Sequence, residues 1–515
     1  MRFWCGVEQG ARLFGKRRFL FDTHGRSLTF REFRDHAESA AAGLVKLGIG
    51  RGTRVSWQLP TGLEAAVLIA AFSRIGAVQN PIIMSLREAE LRTVARQFRP
   101  EFVFTPTVWR GFSHQAMAEA LFPNAKIFCT DVPLGNSIEV ALPRAERSCL
   151  EPLPLQDAPR WVYLTSGSSN EPKAVKHTDE SVWASSNTMS KDLPFEADDV
   201  FPIAFPIAHI GGAAVMITAL RIGFSVQLVD VFDPEKTPLE MAAAGATILG
   251  SATLFFNAYL AAQRQHGTAR LFPRLRFCSG GGAPIGRGMD ERVRTELGAA
   301  GLVNGYGLTE CPMVGFPPLH DDDMRKRSAW MPGPGVQVRI VNRDGVDVPA
   351  GAEGELRLRA PQMFSGYLDS SQNADAFDES GFLRTGDLAI QGTYGEVVVT
   401  GRLKEIVIRK GENISLLEVE DVLIKHPSIV DVAVVGLPDQ DRGERCCAAV
   451  VLADNSPIPT LHELRAFCRA HGLAPFKTPE QLVAVTDIPR TSMGKIQRIR
   501  LREEILAITS AERNE

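Results

Sequence analysis

Residues 163–175, YLTSGSSNEPKAV, carry a dense run of groups that can bind a polyphosphate. Phosphate oxygens would be held by Thr165, Ser166, Ser168, Ser169 and Lys173, with Gly167 letting the backbone approach closely. A serine-rich turn between two strands is the alternative, because Ser, Gly and Asn are favoured in turns for conformational reasons. The segment differs from a Walker A loop, since GxxxxGK[ST] does not occur in the chain.

Two later segments combine glycine with groups that suit a nucleotide. SGGGAPIG, residues 279–286, predicts a turn in which a flat base can lie against the backbone, or simply a tight turn. In NGYGLTE, residues 304–310, Tyr306 offers a face for stacking on a purine, and Glu310 offers a carboxylate oxygen of the kind that Mg²⁺ binds. Thr309 adds a hydroxyl. A solvated loop explains any one of these residues but poorly explains the set.

Four single residues elsewhere are further candidates. His209 precedes two glycines that leave room for a ligand, although a lone histidine is usually a satisfied structural group. Asp387, predicted to lie in a turn, can accept hydrogen bonds from both hydroxyls of a ribose. Arg402 can contact ribose or phosphate, although its surroundings alone indicate an exposed, charged strand edge. Lys495 follows a glycine near the C-terminus, where a lysine taken alone is usually solvated.

The elements that must position these residues alternate between helix and strand along most of the chain. Hydrophobic periodicity predicts strands at residues 54–59 and 102–106 and a helix at residues 63–75. Compact apolar runs such as residues 246–249 predict buried strands. This alternation predicts an α/β fold with layers of mainly parallel sheet, in which ligand sites form beyond the carboxyl ends of strands.

From about Gly333 the pattern changes to short β-rich segments separated by turns, which predicts a small β-rich subdomain over residues 333–402. An α+β pattern follows. We therefore predict a large N-terminal domain at residues 1–402 and a smaller C-terminal domain at residues 403–515.

The composition is that of an ordinary globular protein, since 44% of the 515 residues are hydrophobic and 23% are charged. The net charge of -3 argues against a chain that coats nucleic acid or an anionic membrane. Eight cysteines without a CxxC pair predict reduced thiols. No signal peptide is recognised, and no apolar stretch reaches the roughly 20 residues of a membrane helix, so we expect a cytoplasmic protein.

Taken in order, these motifs resemble those of the adenylate-forming superfamily, which includes acyl-CoA synthetases, luciferases and peptide-synthetase adenylation domains. The family pattern Thr-Ser-Gly-Thr-Thr-Gly-x-Pro-Lys-Gly corresponds to residues 165–174, with Asn170 and Ala174 replacing two glycines. An alanine there is costly if its φ is positive. The resemblance covers nearly the whole chain and implies an AMP-forming acid–thiol ligase that uses ATP, Mg²⁺ and CoA.

The resemblance also assigns roles to individual residues. Nucleotide binding is implied for Thr165, Ser166, Gly167, Ser168, Ser169, Lys173, Gly281, Gly282, Ala283, Pro284, Asn304, Gly305, Tyr306, Gly307, Thr309, Asp387, Arg402 and Lys495. The acyl pocket is implied at His209, Ile210, Gly211, Gly212, Ala213 and Leu308. The implied catalytic residues are Lys495, Glu310, His209 and Thr165, of which Thr165 and Glu310 organise Mg²⁺. Lys404 is the implied hinge of a mobile C-terminal domain, and Lys410 and Gly411 would contact CoA.

The acid is expected to be hydrophobic. A peptide-synthetase domain normally has an Asp just after the aromatic residue of its pocket segment, and none follows Phe205 here. Medium-chain, alicyclic, aromatic and steroid-type acids remain open, as does the oligomeric state, a homodimer included.

CoA is the expected acceptor, and two alternatives are kept. The enzyme could load a separate carrier protein, or the chain could be a degenerate, non-catalytic relative that binds a nucleotide or acyl ligand. Asn170 and Ala174 favour that degenerate relative, whereas the presence of four expected site residues speaks against it: Glu310, Asp387, Arg402 and Lys495. Among the activities found in this superfamily, oxygenation of the luciferase type is the least expected for this chain.

Overall fold

The chain folds into layers of strands and helices. The computed structural model describes residues 2–131, 141–151, 158–165, 172–282, 285, 288–326, 328–403, 405–409, 412–439, 443–454, 456–491 and 494–511. In chain order, the strands are β1 (Arg18–Asp22), β2 (Ser27–Thr29), β3 (Arg54–Trp57), β4 (Val78–Pro81), β5 (Phe102–Thr105), β6 (Lys126–Cys129), β7 (Pro159–Thr165), β8 (Lys173–Thr178), β9 (Val200–Ile203), β10 (Ser225–Leu228), β11 (Ile248–Ser251), β12 (Phe277–Gly281), β13 (Leu302–Leu308), β14 (Cys311–Phe316), β15 (Met331–Pro332), β16 (Gln337–Val341), β17 (Glu353–Arg359), β18 (Leu383–Gln391), β19 (Val397–Arg402), β20 (Ile406–Arg409), β21 (Glu412–Ser415), β22 (Ile429–Asp439), β23 (Gly443–Leu452) and β24 (Gln481–Ala484). The α-helices are α1 (Phe3–Phe14), α2 (Phe30–Lys46), α3 (Leu63–Ile75), α4 (Glu88–Thr93), α5 (His114–Leu121), α6 (Asp179–Asp192), α7 (Ile210–Ile222), α8 (Thr237–Ala243), α9 (Thr253–His266), α10 (Met289–Arg292), α11 (Asp322–Lys326), α12 (Leu416–Leu423), α13 (Leu461–Ala470) and α14 (Arg498–Ala511).

Three sheets built on parallel strands form the larger, N-terminal part of the molecule. One has the strand order β6-β5-β3-β4-β7-β8, the second β2-β1-β10-β9, and the third β11-β12-β13-β14-β15. Antiparallel pairing enters at β7–β8, at β1–β2 and from β13 to β15. The prediction of α/β layers with mainly parallel sheet is therefore confirmed.

Helix α3 illustrates why the sequence forms these layers. Its residues are almost all apolar and almost all buried, as expected of a helix packed in an interior rather than laid on a surface. It packs against α1 and α2 and also against β4. The bounds predicted for this helix from periodicity, residues 63–75, are those observed.

The carboxyl ends of several strands bring the candidate residues to one region. β12 and β13 are parallel neighbours, with Gly281 directly opposite Gly305. Gly281, which the sequence analysis places in a turn, is instead the last residue of β12, and β13 continues through Tyr306 to Leu308. Gly305 permits this continuation, since a Cβ there would lie 2.3 Å from the Phe316 ring.

The β-rich segment after residue 333 forms an antiparallel sheet with the order β16-β17-β18-β19. The prediction that Asp387 lies in a turn is wrong, because Asp387 belongs to strand β18. Strands β17 and β18 are paired at Glu355–Leu388 and again at Arg357–Arg384. Between these pairs β17 has one residue and β18 has three, so residues 385–387 form a bulge in β18. Gly386 makes this bulge feasible with a φ of 72°.

The C-terminal part is smaller and mixes helices with a sheet of order β21-β20-β23-β22, to which β24 adds in parallel beside β23. This confirms the predicted α+β pattern, and the boundary at residues 402 and 403 stays a prediction. The side chain of Ser415 donates a hydrogen bond to Thr400 O at 2.9 Å, so the two parts of the chain touch where β19 ends.

The described residues bear on two further features, disulfide bonds and membrane-spanning helices. No disulfide joins the cysteines there, as predicted: Cys5, Cys129, Cys278, Cys311, Cys446, Cys447 and Cys468 are free thiols. Among the helices in the described ranges, none combines the length and the apolar character needed to cross a bilayer.

Candidate active site

Three of the predicted residues meet in one cluster. The Tyr306 hydroxyl donates a hydrogen bond to Asp387 Oδ2, and Arg402 Nε lies 2.6 Å from Asp387 Oδ1. Asp387 is only 2% exposed, so its carboxylate is held between a phenol and a guanidinium away from bulk water. The backbone N–H of Asp387 is also tied, donating to Thr385 Oγ1 at 3.0 Å.

The electrostatics of this cluster follow from its burial. Burial raises the pKa of Tyr306 well above its ordinary value, and the nearby Asp387 carboxylate raises it further, so the hydroxyl stays a donor. Burial alone would lower the pKa of Arg402, but the charges of Asp387 and Glu405 outweigh it and raise that pKa. The phenol of Tyr306 therefore stays protonated and the guanidinium of Arg402 stays charged at physiological pH.

One face of Tyr306 is covered by a residue that the sequence analysis missed. Trp330 stacks on the Tyr306 ring with centroids 5.0 Å apart and planes 5° apart. Its position is fixed by a bridge to Val397 on β19. Nothing in the sequence around Trp330 signals this role, because the two rings come from segments that meet only in the folded sheet.

Asn304 lies next to this cluster on β13 and has an unpaired polar atom. Its Oδ1 is buried and has no hydrogen-bond partner among the residues that the structure describes. Since buried polar atoms in native proteins are nearly always paired, such an orphan points to a ligand donor. Gly281 on the neighbouring strand leaves room beside it, since a Cβ there would meet only Gly305 O, at 3.4 Å.

Glu310 and Lys173 are linked by Tyr367, another residue that the sequence analysis missed. The Tyr367 hydroxyl donates to Glu310 Oε1 at 2.9 Å, and Lys173 Nζ lies 4.6 Å from the centroid of the same ring. Burial raises the pKa of Glu310, while the hydrogen bond from Tyr367 and the charge of Lys173 act in the opposite direction. A carboxylate and an ammonium group are thus oriented by one side chain.

The neighbouring Thr309 is held by His177, which is completely buried. His177 Nε2 lies 2.8 Å from the carbonyl oxygen of Thr309 and therefore donates to it, which leaves Nδ1, 3.0 Å from Ser181 Oγ, as an acceptor. Burial lowers the pKa of His177 to about 4, so the ring is neutral near pH 7. No motif singles out His177, which is one of several polar residues within β8.

The predicted phosphate-binding segment is described only at its two ends. Thr165 and Lys173 lie directly opposite each other at the start of the β7–β8 hairpin. Ala174 is buried in β8 and is not among the residues with positive φ, so the expected cost of an alanine at this position does not arise. Several predicted site residues lie outside the described residues: Ser166, Gly167, Ser168, Ser169, Ala283, Pro284, Lys404, Lys410 and Gly411.

His209 caps the N-terminus of α7, where its Nδ1 accepts a hydrogen bond from Gly211 N at 3.2 Å. Burial lowers the pKa of His209 to about 4, so the ring is neutral, with its remaining proton on Nε2. A small cavity in front of it is lined by Pro81, Ile83, Leu86, Tyr163, Leu164, Ala208, His209, Ile210 and Thr309. The lining of this cavity thus includes two residues of the predicted acyl segment, His209 and Ile210, together with Thr309.

The other predicted acyl-pocket residues lie in different surroundings. A Cβ at Gly211 would make ordinary contacts with Phe205 and Met313, whereas one at Gly212 would lie 2.5 Å from Ile207 O. Gly212 therefore lets α7 pack closely on the segment before it. Ala213 is fully buried, and Leu308 packs on the β-rich core.

Lys495 reaches this region from the C-terminal part of the chain. Burial and the positive charge of Arg402 lower its pKa, whereas the carboxylates of Glu405 and Asp387 raise it, so all three of these groups are close enough to act on it. A Cβ on the preceding Gly494 would lie 3.1 Å from Ala252 Cβ, directly after β11. The C-terminal lysine thus lies within electrostatic range of Asp387 and Arg402.

Two arginines hold the segment that carries Lys495. Arg490 donates to both carboxylate oxygens of Asp431, at 2.8 and 3.0 Å, and to Gly494 O at 2.9 Å. Arg498 is paired with Glu405 and Glu420, with its Nε 3.2 Å from Glu405 Oε2 and its Nη2 3.0 Å from Glu420 Oε2. The loop is therefore anchored on both sides of the lysine.

Comparisons with known proteins agree with this geometry. The sequence profile of the AMP-binding enzyme family matches residues 7–368, and that of the AMP-binding enzyme C-terminal domain matches residues 418–495. The chain is 32% identical over 517 residues to a medium-chain fatty-acid–CoA ligase of Escherichia coli, covering 97% of this chain and 89% of that protein. It is 33% identical over 495 residues to a salicyl-AMP ligase/salicyl-S-ArCP synthetase of Mycobacterium tuberculosis, covering 92% and 85%. The crystal structure of ATP-bound MatB from Rhodopseudomonas palustris superposes with a TM-score of 0.86 at 27% identity, covering 98% of this chain and 99% of that one.

The fold and the site together define an adenylate-forming enzyme. The chain belongs to the AMP-binding enzyme family, within the adenylate-forming (ANL) superfamily, as its motifs predicted.

Proposed function

We propose that this protein activates a hydrophobic carboxylic acid with ATP, forming an acyl-adenylate and pyrophosphate, and then transfers the acyl group to CoA with release of AMP. The observation that carries the proposal is the convergence of Lys495 with the Tyr306–Asp387–Arg402 cluster. Lysine, arginine and carboxylate from distant parts of the chain are brought together where a nucleotide and an acid would meet.

The described residues fit a magnesium-bound nucleotide. The orphaned Asn304 Oδ1 can accept a hydrogen bond from the amino group of a purine. Asp387 would hold the ribose hydroxyls, with Arg402 beside it. Glu310 supplies one carboxylate, and Mg²⁺ commonly takes one or two carboxylates together with phosphate oxygens, which matches the site. When bound, the ion neutralises charge on the phosphates.

In the first step, a carboxylate oxygen of the acid attacks the α-phosphorus of ATP, and the bond from that phosphorus to the bridging oxygen breaks. Two anions must approach each other, so the residues act mainly by positioning and by placing positive charge. Lys495 would contact the acid and the α-phosphate, while Lys173 would face the β- and γ-phosphates. Thr165, directly opposite Lys173, is placed to assist at the same phosphates.

In the second step, the sulfur of CoA attacks the acyl carbonyl carbon, AMP leaves with the carboxyl oxygen, and the thiol proton is released to solvent. Because Lys495 lies within electrostatic range of Arg402 and Asp387 in this structure, we expect the acceptor to need a different arrangement of the C-terminal part. We propose that the C-terminal domain rotates relative to the N-terminal domain, which ends at Arg402. The hinge of this rotation would be the segment around Lys404. Lys410 and Gly411 would then contact CoA.

The small cavity beside His209, about 10 Å³ in volume, holds no more than a water-sized group, so only the character of its wall bears on the acid. Aliphatic and aromatic side chains form most of its wall, and the neutral His209 offers one N–H donor. The neutral His209 ring can therefore orient a carboxyl oxygen of the acid without adding a charge of its own. Aliphatic and aromatic acids are equal candidates for a wall of this kind.

A carrier protein is the second candidate acceptor, because the Mycobacterium tuberculosis relative at 33% identity is named as a salicyl-S-ArCP synthetase. That relative and the fatty-acid–CoA ligase resemble this chain to the same degree, so identity does not separate the two acceptors. The two candidates share the first step and differ only in the second.

The test is acid-dependent exchange of labelled pyrophosphate into ATP over a panel of medium-chain, alicyclic, aromatic and steroid-type acids. The active acids are then incubated with CoA and, separately, with phosphopantetheinylated carrier proteins. We expect exchange with a hydrophobic acid and a thioester with CoA. A thioester with carrier protein alone would support the loading enzyme, and the absence of exchange with every acid would overturn the proposed activation.

A further inference from the structure

Tyr367 contacts two charged groups of the proposed site, the Glu310 carboxylate, which would bind Mg²⁺, and the Lys173 ammonium, which would face the phosphates. Its hydroxyl donates to Glu310 Oε1 at 2.9 Å, and its ring lies under Lys173 Nζ, 4.6 Å from the centroid. Tyr367 is only 6% exposed. It comes from the segment between β17 and β18, far in sequence from both partners.

The backbone holds Tyr367 firmly in this place. Its N–H donates to Asn373 Oδ1 at 2.8 Å, and it bridges to Val175 on β8, the strand that begins at Lys173. The same segment is tied to Glu310, because Phe364 N donates to Glu310 O at 2.8 Å. The ring also packs edge-on against Phe364, with centroids 5.0 Å apart. One short segment is thus bound both to the strand of the lysine and to the residue of the carboxylate.

We infer that Tyr367 is a positioning residue, which orients the Glu310 carboxylate for a divalent cation and the Lys173 ammonium for the phosphates of the same nucleotide. This inference rests on the proposed function and deepens it.

The chemistry of the phenol suits both contacts at once. An ionised carboxylate has about four lone-pair sites, so Glu310 can accept one hydrogen bond from Tyr367 and keep others for a cation. The electron-rich face of the ring attracts an ammonium group. Burial raises the pKa of Tyr367 far above the physiological range, so its hydroxyl remains a donor at any pH of interest. Two opposite charges are therefore oriented without consuming the carboxylate in an ion pair.

The first variant is Tyr367→Phe, which keeps the ring under Lys173 and removes only the hydrogen bond to Glu310. In the exchange assay with an active acid, we expect the Mg²⁺ concentration at half-maximal rate to rise by about tenfold, the size of a lost hydrogen bond to a charged group. The KM for the acid should change by less than about twofold, because the acid does not meet Glu310. Tyr394→Phe is the matched control, since Tyr394 is 88% exposed and should alter neither value.

The second variant, Tyr367→Leu, removes both contacts. We expect it to raise the KM for ATP as well as the Mg²⁺ requirement, whereas Tyr367→Phe raises only the Mg²⁺ requirement. A general loss of structure would instead lower every rate together. Thermal melting of each variant identifies the temperature range in which it is folded, and all assays are made within that range.

Calorimetry provides a readout that does not depend on turnover. Binding of a non-hydrolysable ATP analogue is titrated with and without Mg²⁺ for the unaltered protein, Tyr367→Phe and Tyr394→Phe. We expect Mg²⁺ to tighten binding in the unaltered protein and in Tyr394→Phe, and to tighten it far less in Tyr367→Phe. An equal effect of Mg²⁺ in all three proteins would overturn the role of Tyr367. If no acid supports exchange in the unaltered protein, the proposed function fails, while this comparison still decides the inference.

Discussion

Arg402 Nε lies 2.6 Å from Asp387 Oδ1, and the two residues also face each other directly across strands β18 and β19. The contact is therefore fixed by sheet register as well as by charge. Arg402 is the last residue of β19, so this ion pair sits where the chain passes from the β-rich sheet towards the C-terminal sheet. Its charge acts on Lys495 across that junction.

The ion pair predicts the behaviour of Asp387→Asn. The asparagine amide cannot balance the charge of the Arg402 guanidinium. Its single oxygen would also have to choose between accepting a hydrogen bond from Tyr306 and accepting one from a ribose hydroxyl. We expect the KM for ATP to rise by about tenfold or more, the size of a lost charge-assisted hydrogen bond. Steady-state exchange kinetics measure this value. Asp344→Asn on an exposed turn is the control, and equal ATP affinity in both variants would contradict the role of Asp387.

Lys495 predicts an alkaline limb in the pH profile of adenylation. Burial and the charge of Arg402 lower its pKa from the ordinary 10.5, so the reactive ammonium loses its proton at a lower pH than an exposed lysine would. Lys495→Arg keeps its charge at those pH values. We expect a slower variant, because guanidinium and ammonium differ in shape, with an alkaline limb moved to higher pH. An unmoved limb would mean that another group titrates there.

His177 predicts a dependence of stability on pH. Its pKa is about 4 in the folded protein and near 6.5 in the unfolded chain, so below about pH 6.5 only the unfolded chain takes up the proton. Stability is thus full above that pH and is lost as the pH falls towards 4. Linkage gives a loss of about 2 kcal/mol from this one group between pH 7 and pH 5.

Denaturant titrations of His177→Gln at pH 7 and pH 5 measure this effect. The glutamine amide can still donate to Thr309 O, so the folded structure should be kept while the titrating group is removed. We expect the difference in unfolding free energy between the two pH values to shrink by about 2 kcal/mol. The exposed His320 should give no such change when replaced by Gln, and the same result for both variants would rule out His177 as the source.

The proposed hinge predicts a separation of the two half-reactions. Lys404→Pro fixes φ at one backbone position and should restrict rotation of the C-terminal domain. We expect pyrophosphate exchange to continue at close to the original rate, because Lys495 is already within electrostatic range of Arg402, while thioester formation is lost. Both steps are measured on the same preparation. A parallel loss of exchange and thioester formation would argue against a hinge at this position.

Much of the fold followed from the sequence because it depends on local patterns. The apolar run at residues 63–75 forms α3 with the predicted bounds, since a helix that is hydrophobic on every side has few alternatives to burial. The alternation of helices and strands likewise predicted the parallel sheets. The bulge at Asp387 was missed, because two extra residues in one strand become visible only against the register of β17.

The sequence by itself determined which chemical groups are present, in what order, and therefore the family. Only the tertiary structure decided which of them touch. Trp330, Tyr367 and His177 carry no motif, yet they hold Tyr306, Glu310 and Thr309, respectively, in place. The reason is physical: a hydrogen bond or a ring contact depends on distances of a few ångströms, and packing between segments remote along the chain sets those distances.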